Sequence, residues 1–134
     1  MSRRSPALAL RILIVDDEPD NRELLELILQ FDGFLTLTAA SGEEALATVA
    51  RERPDLVLLD IMLPGMSGYE VMAQIKGTLD TENIPVVIVT AMNDRATKIR
   101  ALRAGADDVL VKPMERLELC GRVRSVLGLK AAGA

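Results

Sequence analysis

At 134 residues with 49% hydrophobic side chains, the chain suits one domain with a single core. Its formal net charge of −4 gives no support for nucleic-acid binding, and the complete absence of histidine excludes His-based zinc sites, triads with a His base and any phosphohistidine formed within the chain. The single cysteine, Cys120, cannot form an internal disulfide; it lies in an apolar stripe and reads as core, not as a reactive thiol.

The first ten residues carry arginines ahead of an apolar stretch. Arg11 interrupts that stretch and Asp16-Asp17 follows without a small-residue cleavage pattern, so residues 1–9 read as a disordered leader. Ile12-Leu13-Ile14-Val15 is the first strand. Pro19 then suits the first turn of a helix, and Leu24, Leu27, Ile28 and Phe31 recur at i, i+3, i+4 and i+7 as its apolar stripe, up to Asp32-Gly33. From Phe34 to Ala39, leucines alternate with Thr36 and Thr38, which makes one face wetter and predicts an edge strand. Ser41 with Glu44, followed by Ala45, Leu46 and Val49, reads as a capping box opening the second helix. Leu56-Val57-Leu58-Leu59 is the third strand, and Ser67 with Glu70 repeats the capping device before the third helix. Val86-Val87-Ile88-Val89 is the fourth strand, followed by a helix from about Asp94 to Ala104 with Gly105 as its stop. Val109-Leu110-Val111 is the fifth strand. The last helix runs from about Glu115 to Leu127 and ends at Gly128, and residues 129–134 read as a tail. No run reaches the length needed to span a membrane.

Short, β-branched, nearly continuous apolar runs are strands buried on both faces, which means a parallel sheet covered by helices. Five βα units in this order predict an α/β, flavodoxin-like doubly wound (βα)5 domain over residues 10–128, with a five-stranded sheet in the order 2-1-3-4-5. In such sheets ligands bind beyond the carboxyl ends of the strands, at the switch point between strands one and three. The residues that end the apolar runs all belong there: Asp16-Asp17, Asp60, Thr90-Ala91 and Lys112-Pro113. Converging carboxylates raise one another's pKa and destabilise a fold, a conflict that a bound divalent cation removes. Oxygen donors without histidine or thiolate point to Mg²⁺ or a similar hard ion. With Asp16 and Asp17 available for the metal, Asp60 is left as a nucleophile of the kind that forms aspartyl-phosphates, and Lys112 and the Thr90 hydroxyl would contact the phosphoryl oxygens.

Four segments, Ile12-Leu-Ile-Val-Asp-Asp-Glu-Pro19, Leu58-Leu-Asp-Ile-Met-Leu-Pro-Gly-Met-Ser-Gly68, Pro85-Val-Val-Ile-Val-Thr-Ala91 and Gly105-Ala-Asp-Asp-Val-Leu-Val-Lys-Pro113, resemble the receiver domain of two-component response regulators in order and spacing. The resemblance implies that Asp60 is the phosphoacceptor. It implies that Asp16, Asp17, Asp60 and the Met62 carbonyl hold Mg²⁺, and that Thr90 and Lys112 are switch residues, with the small Ala91 leaving access beside the phosphoryl site. It also implies a partner, a sensor histidine kinase or phosphotransfer protein, a cytoplasmic location, and a signalling role in which the chain is not an enzyme beyond assisting its own phosphorylation and dephosphorylation. Where many receivers carry an aromatic switch residue this chain has Val109, so signalling is expected to shift the fourth helix without an aromatic rotamer change. Met62 and Met92 fall at positions flanking the path of the hydrolytic water. Lys98, Asp108, Glu118 and Arg122 match charged positions that winged-helix regulators use for a symmetric dimer, Lys98 meeting Glu118 and Asp108 meeting Arg122 of the other subunit.

Other readings fail on particular residues. A dinucleotide site needs Gly-x-Gly-x-x-Gly after the first strand, where this chain has Asp16-Asp17-Glu18-Pro19, and no Gly-x-x-x-x-Gly-Lys segment exists for a P-loop. A phosphatase of the haloacid dehalogenase kind needs a second Asp where Met62 stands. The remaining alternative is a receiver-like docking adaptor that works without phosphorylation. With no effector domain expected after Leu127, the chain reads either as a single-domain regulator or as a piece of a longer one.

Overall fold

The computed structural model describes residues 9–129. The expected leader and tail therefore lie outside the described residues, apart from residues 9 and 129. Five strands, β1 (Arg11–Val15), β2 (Leu35–Ala39), β3 (Leu56–Asp60), β4 (Val86–Thr90) and β5 (Asp108–Val111), alternate with five helices, α1 (Pro19–Phe31), α2 (Gly42–Glu52), α3 (Gly68–Lys76), α4 (Arg95–Arg103) and α5 (Arg116–Val126). All strand pairs are parallel, in the order β2-β1-β3-β4-β5, so the flavodoxin-like reading holds.

Alternate residues of each strand feed two cores. Leu13, Val15, Val57, Leu59 and Ile88 face Ala45 and Val49 of α2, Val71, Met72 and Ile75 of α3, and Ala101 of α4. Ile12, Ile14, Leu56, Leu58, Val87 and Val89 face Leu25 and Leu29 of α1 and Leu119 and Val123 of α5. Burial on both faces is why β3 and β4 have no exposed residue and why their sequences show no alternation.

Two local details differ from expectation. Helix α1 buries Leu25 and Leu29, with Ile28 packed beside them, while Leu24, Leu27 and Phe31 are 57%, 60% and 79% exposed. Two overlapping apolar stripes exist on this helix. The one that wins continues through Arg22, whose Nη1 donates to the Asp16 carbonyl at 2.8 Å and ties that face to the sheet. The Ser41 device is half a capping box: Ser41 Oγ accepts from Glu44 N, but the Glu44 carboxylate accepts from Ala40 N and not from Ser41. The Ser67 and Glu70 box is reciprocal. β2 is an edge strand as expected, with Leu35 exposed at its start.

Candidate functional site

Register places the site. Val15 pairs with Leu59, so Asp16 stands level with Asp60. Asp60 pairs with Val89 and Thr90 with Val111, so Thr90 and Lys112 emerge successively just beyond. Carboxylate oxygens of Asp16, Asp17 and Asp60 lie within 4.8 Å of one another. Asp16 and Asp60 are 2% and 7% exposed and Asp17 is open to solvent. Lys112 Nζ donates to Asp16 Oδ2 at 2.9 Å and to Asp60 Oδ2 at 2.8 Å. Burial disfavours that ammonium, but the hydrogen bonds from it to Asp60 and Asp16, together with their charges, outweigh burial and hold its pKa above the ordinary value. Lys112 is therefore a fixed cation at neutral pH.

Backbone amides position the remaining oxygens. Glu18 N donates to Asp16 Oδ1 at 2.9 Å, Met62 N to Asp60 Oδ1 at 3.0 Å, and Met92 N to Thr90 Oγ1 at 3.0 Å. Thr90 is fully buried, its strand end held by Lys112 N donating to the Thr90 carbonyl at 2.7 Å, and the Lys112–Pro113 peptide is cis. Three acceptor side chains at three strand ends are thus each turned by the amide two residues on, the geometry of Asx- and ST-turns.

The donor set is compatible with a hard divalent cation: three carboxylates, all oxygen, converging at one end of the sheet, two of them too buried to be ordinary surface acids. Ala91 is exposed at the rim. Met62 and Met92 are 64% and 44% exposed beside the cluster. Val109 is partly buried against the core face shared by α2, α3 and α4. Of the charged positions expected on a dimer face, Arg122 Nη1 contacts both carboxylate oxygens of Asp108 in the same chain, at 2.7 and 2.8 Å. Lys98 and Glu118 form no ion pair among the described residues.

Two residues that shape the site were not singled out from sequence. One is Arg22, visible only as the i, i+3, i+7 partner of Leu25 and Leu29. The other is Gly68, whose N donates to the Ile61 carbonyl at 2.9 Å and where a Cβ would lie 2.3 Å from the Asp60 carbonyl oxygen. Only glycine lets α3 start directly against the Asp60 backbone.

Comparison with known proteins places this geometry. The response regulator receiver domain model matches residues 12–124. The chain is 43% identical over 123 residues to response regulator PleD of Caulobacter vibrioides, covering 92% of this chain and 27% of that protein. It is also 43% identical over 117 residues to the DNA-binding response regulator MtrA of Mycolicibacterium smegmatis, covering 87% and 50%. The chain thus spans about a quarter to a half of the length of the curated relatives it matches. Among solved structures, a response regulator from Chloroflexus aurantiacus superposes with TM-score 0.86 at 39% identity, covering 90% of this chain and 98% of that one. The receiver domain of a sensor histidine kinase from Pseudomonas aeruginosa, described with a magnesium ion in its active-site cleft, superposes with TM-score 0.83 at 30% identity, covering 90% and 98%. With the matched model spanning all five strands and the acidic trio, threonine and lysine at their carboxyl ends, the chain belongs to the response regulator receiver domain family.

Proposed function

We propose that this receiver accepts a phosphoryl group on Asp60 from the phosphohistidine of a sensor histidine kinase or phosphotransfer protein in the cytoplasm. The observation that carries the reading is the Lys112 ammonium held between Asp16 and Asp60, beside a third carboxylate. A carboxylate oxygen of Asp60 forms the new P–O bond while the P–N bond to the donor imidazole breaks and its electron pair returns to the ring. Charge grows on the phosphoryl oxygens during transfer, and catalysis of such a step is mostly positioning and charge neutralisation. Lys112 supplies one fixed cation, and the Thr90 hydroxyl, released from Met92 N, supplies a donor. Asp16, Asp17, Asp60 and the Met62 carbonyl would hold Mg²⁺, which supplies further neutralisation of the phosphoryl oxygens when bound. The Pseudomonas neighbour supports that choice of ion.

Output follows from the same contacts. Thr90 leads through Met92 into α4, which buries only Thr97 and Ala101 and is lightly anchored. Drawing the Thr90 hydroxyl toward phosphate therefore biases α4 between two positions, with Val109 packing beneath it and no aromatic ring to rotate. A dimer across α4, β5 and α5 belongs to this proposal, and it requires exchange of the Arg122 and Asp108 pair within the chain for the same pair between chains.

The test is incubation with acetyl phosphate, with Mg²⁺ or with chelator. The proposal expects a phosphorylated species only with Mg²⁺, none in Asp60→Asn, and slower formation in Lys112→Ala. Equal phosphorylation of Asp60→Asn would overturn it.

A further inference from the structure

An open cleft of about 690 Å³ lies beside the acidic cluster, between the loop after β3 and the first turns of α4. Met62, Leu63 and Tyr69 line one wall and Met92, Ala96 and Arg100 the other, and none of the lining residues is acidic. The Arg100 guanidinium sits over the Tyr69 ring, 3.9 Å from its centroid, and has no carboxylate partner among the described residues. Helix α4 carries Arg95, Lys98, Arg100 and Arg103 with no acidic residue in its span. Asp94, just before it, turns both oxygens onto Thr97, accepting from its N at 3.0 Å and its Oγ1 at 2.7 Å. Arg100 and Arg103, one turn apart, thus leave a cationic rim beside an apolar floor.

The two methionines are wired to the groups that change on phosphorylation. Met62 N donates to Asp60 Oδ1 and Met92 N to Thr90 Oγ1, both at 3.0 Å. A phosphoryl group on Asp60 and a Thr90 hydroxyl turned toward it would alter both bonds at once, one on each wall. Methionine is flexible and polarisable and can refit around an inserted side chain.

We propose that this cleft takes an acidic peptide segment of a partner protein when the chain is phosphorylated, an apolar anchor entering between Met62 and Met92 and carboxylates meeting Arg100 and Arg103. The inference rests on Asp60 being the phosphoacceptor. A short peptide reads only the local field, since screening confines exposed charges to roughly 8 Å at physiological salt. A nucleic acid or an anionic membrane would extend past the cleft onto a chain of net charge −4 and onto Asp17 and Asp60 beside it, where like charge opposes it.

A displayed random-peptide library panned against the chain activated with beryllofluoride and Mg²⁺, counter-selected on Arg100→Glu, tests this. Enriched sequences should carry excess Asp and Glu around a large apolar residue. A synthetic peptide of that sequence should bind the activated chain about tenfold or more tighter than the unactivated chain or activated Arg100→Glu. It should also shift the methyl resonances of Met62 and Met92 in methionine-labelled protein. The assignment is overturned if no binder is enriched, if the enriched peptides lack acidic excess, if binding ignores Arg100→Glu, or if Met62 and Met92 stay unmoved. An Arg100-dependent dimer of the activated chain in sedimentation would give the cleft to a second copy and equally overturn it. Phosphorylation by acetyl phosphate on the same preparations separates the two readings: a chain that takes phosphate on Asp60 but enriches no acidic peptide loses only the cleft.

Discussion

Two glycine-to-alanine substitutions, identical in chemistry, are expected to act with opposite sign. At Gly68 the new Cβ would stand 2.3 Å from the Asp60 carbonyl oxygen, 2.7 Å from Ile61 Cα and 3.0 Å from the Asp60 carbonyl carbon. Ordinary contact begins near 3.4 Å, so α3 must retreat by about 1 Å, and because every clashing atom is backbone no rotamer change relieves it. Overpacking of this kind costs about 1–3 kcal/mol, and because Gly68 is the first residue of α3 the interior helix propensity of alanine returns little of it, leaving a loss of about 2 kcal/mol. For a domain of this size that lowers Tm by roughly 8 °C. The same retreat re-aims Asp60, so phosphorylation by acetyl phosphate, measured well below Tm, should slow by about tenfold to a hundredfold. At Gly121, in the middle of α5, a Cβ meets nothing within 4 Å, and alanine should raise stability by about 0.5–1 kcal/mol. Thermal unfolding by circular dichroism reads both. A Gly68→Ala protein as stable and as quickly phosphorylated as the parent would refute the close-approach argument, and a destabilised Gly121→Ala would refute the propensity argument.

Met62 and Met92 are apolar and cannot orient a water in line with the Asp60–phosphate bond, so Met62→Asn and Met92→Glu should each speed loss of phosphate from the isolated chain; equal or slower decay contradicts shielding. Burial, then the neighbouring Asp32 charge and hydrogen bond, push the Cys120 thiol up from 9.0 to about 11, so at pH 8 it holds about a hundredfold less thiolate than an ordinary cysteine. Iodoacetamide should accordingly modify the folded chain at least about a hundredfold more slowly than the urea-unfolded one, and rates within tenfold of each other would contradict this. Because that pKa is raised by folding, its stabilisation is complete below pH 9 and is lost as pH rises toward 11, a decline that Cys120→Ala should flatten. The raised Lys112 pKa adds loss in the same direction at higher pH, which Cys120→Ala leaves in place. If dimerisation exchanges the Arg122 and Asp108 pair between chains, Arg122→Glu should leave the phosphorylated chain monomeric in sedimentation, and an unchanged dimer would move the interface elsewhere.

The sheet and its site were legible because both depend on local sequence. Runs such as Leu56-Val57-Leu58-Leu59 are buried on both faces, and the polar residue ending each run falls at a carboxyl end whatever the loops do. Parallel register then brought Asp16 level with Asp60 without further information. The face of α1 was not legible, since six apolar residues in eight positions offer two stripes and the tertiary anchor through Arg22 chose between them. Gly68 was hidden for a related reason: its contact is with a strand end eight residues back, and nothing in a capping box announces a close approach. The charge pattern of Asp108 and Arg122 was visible, but whether such a pair closes within a chain or between chains depends on the tilt of α5 against β5, which sequence spacing does not specify.

The proposed phosphotransfer requires that the carboxylate of Asp60, and no other group, carries the phosphoryl. Borohydride reduces an aspartyl phosphate to homoserine, so trapping the phosphorylated chain with borohydride and sequencing its peptides by mass spectrometry reads the acceptor directly. Homoserine is expected at position 60 alone, formed with Mg²⁺ and absent without it. Homoserine at Asp16 or Asp17, or an unmodified Asp60 in a chain that has taken up phosphate, would contradict it.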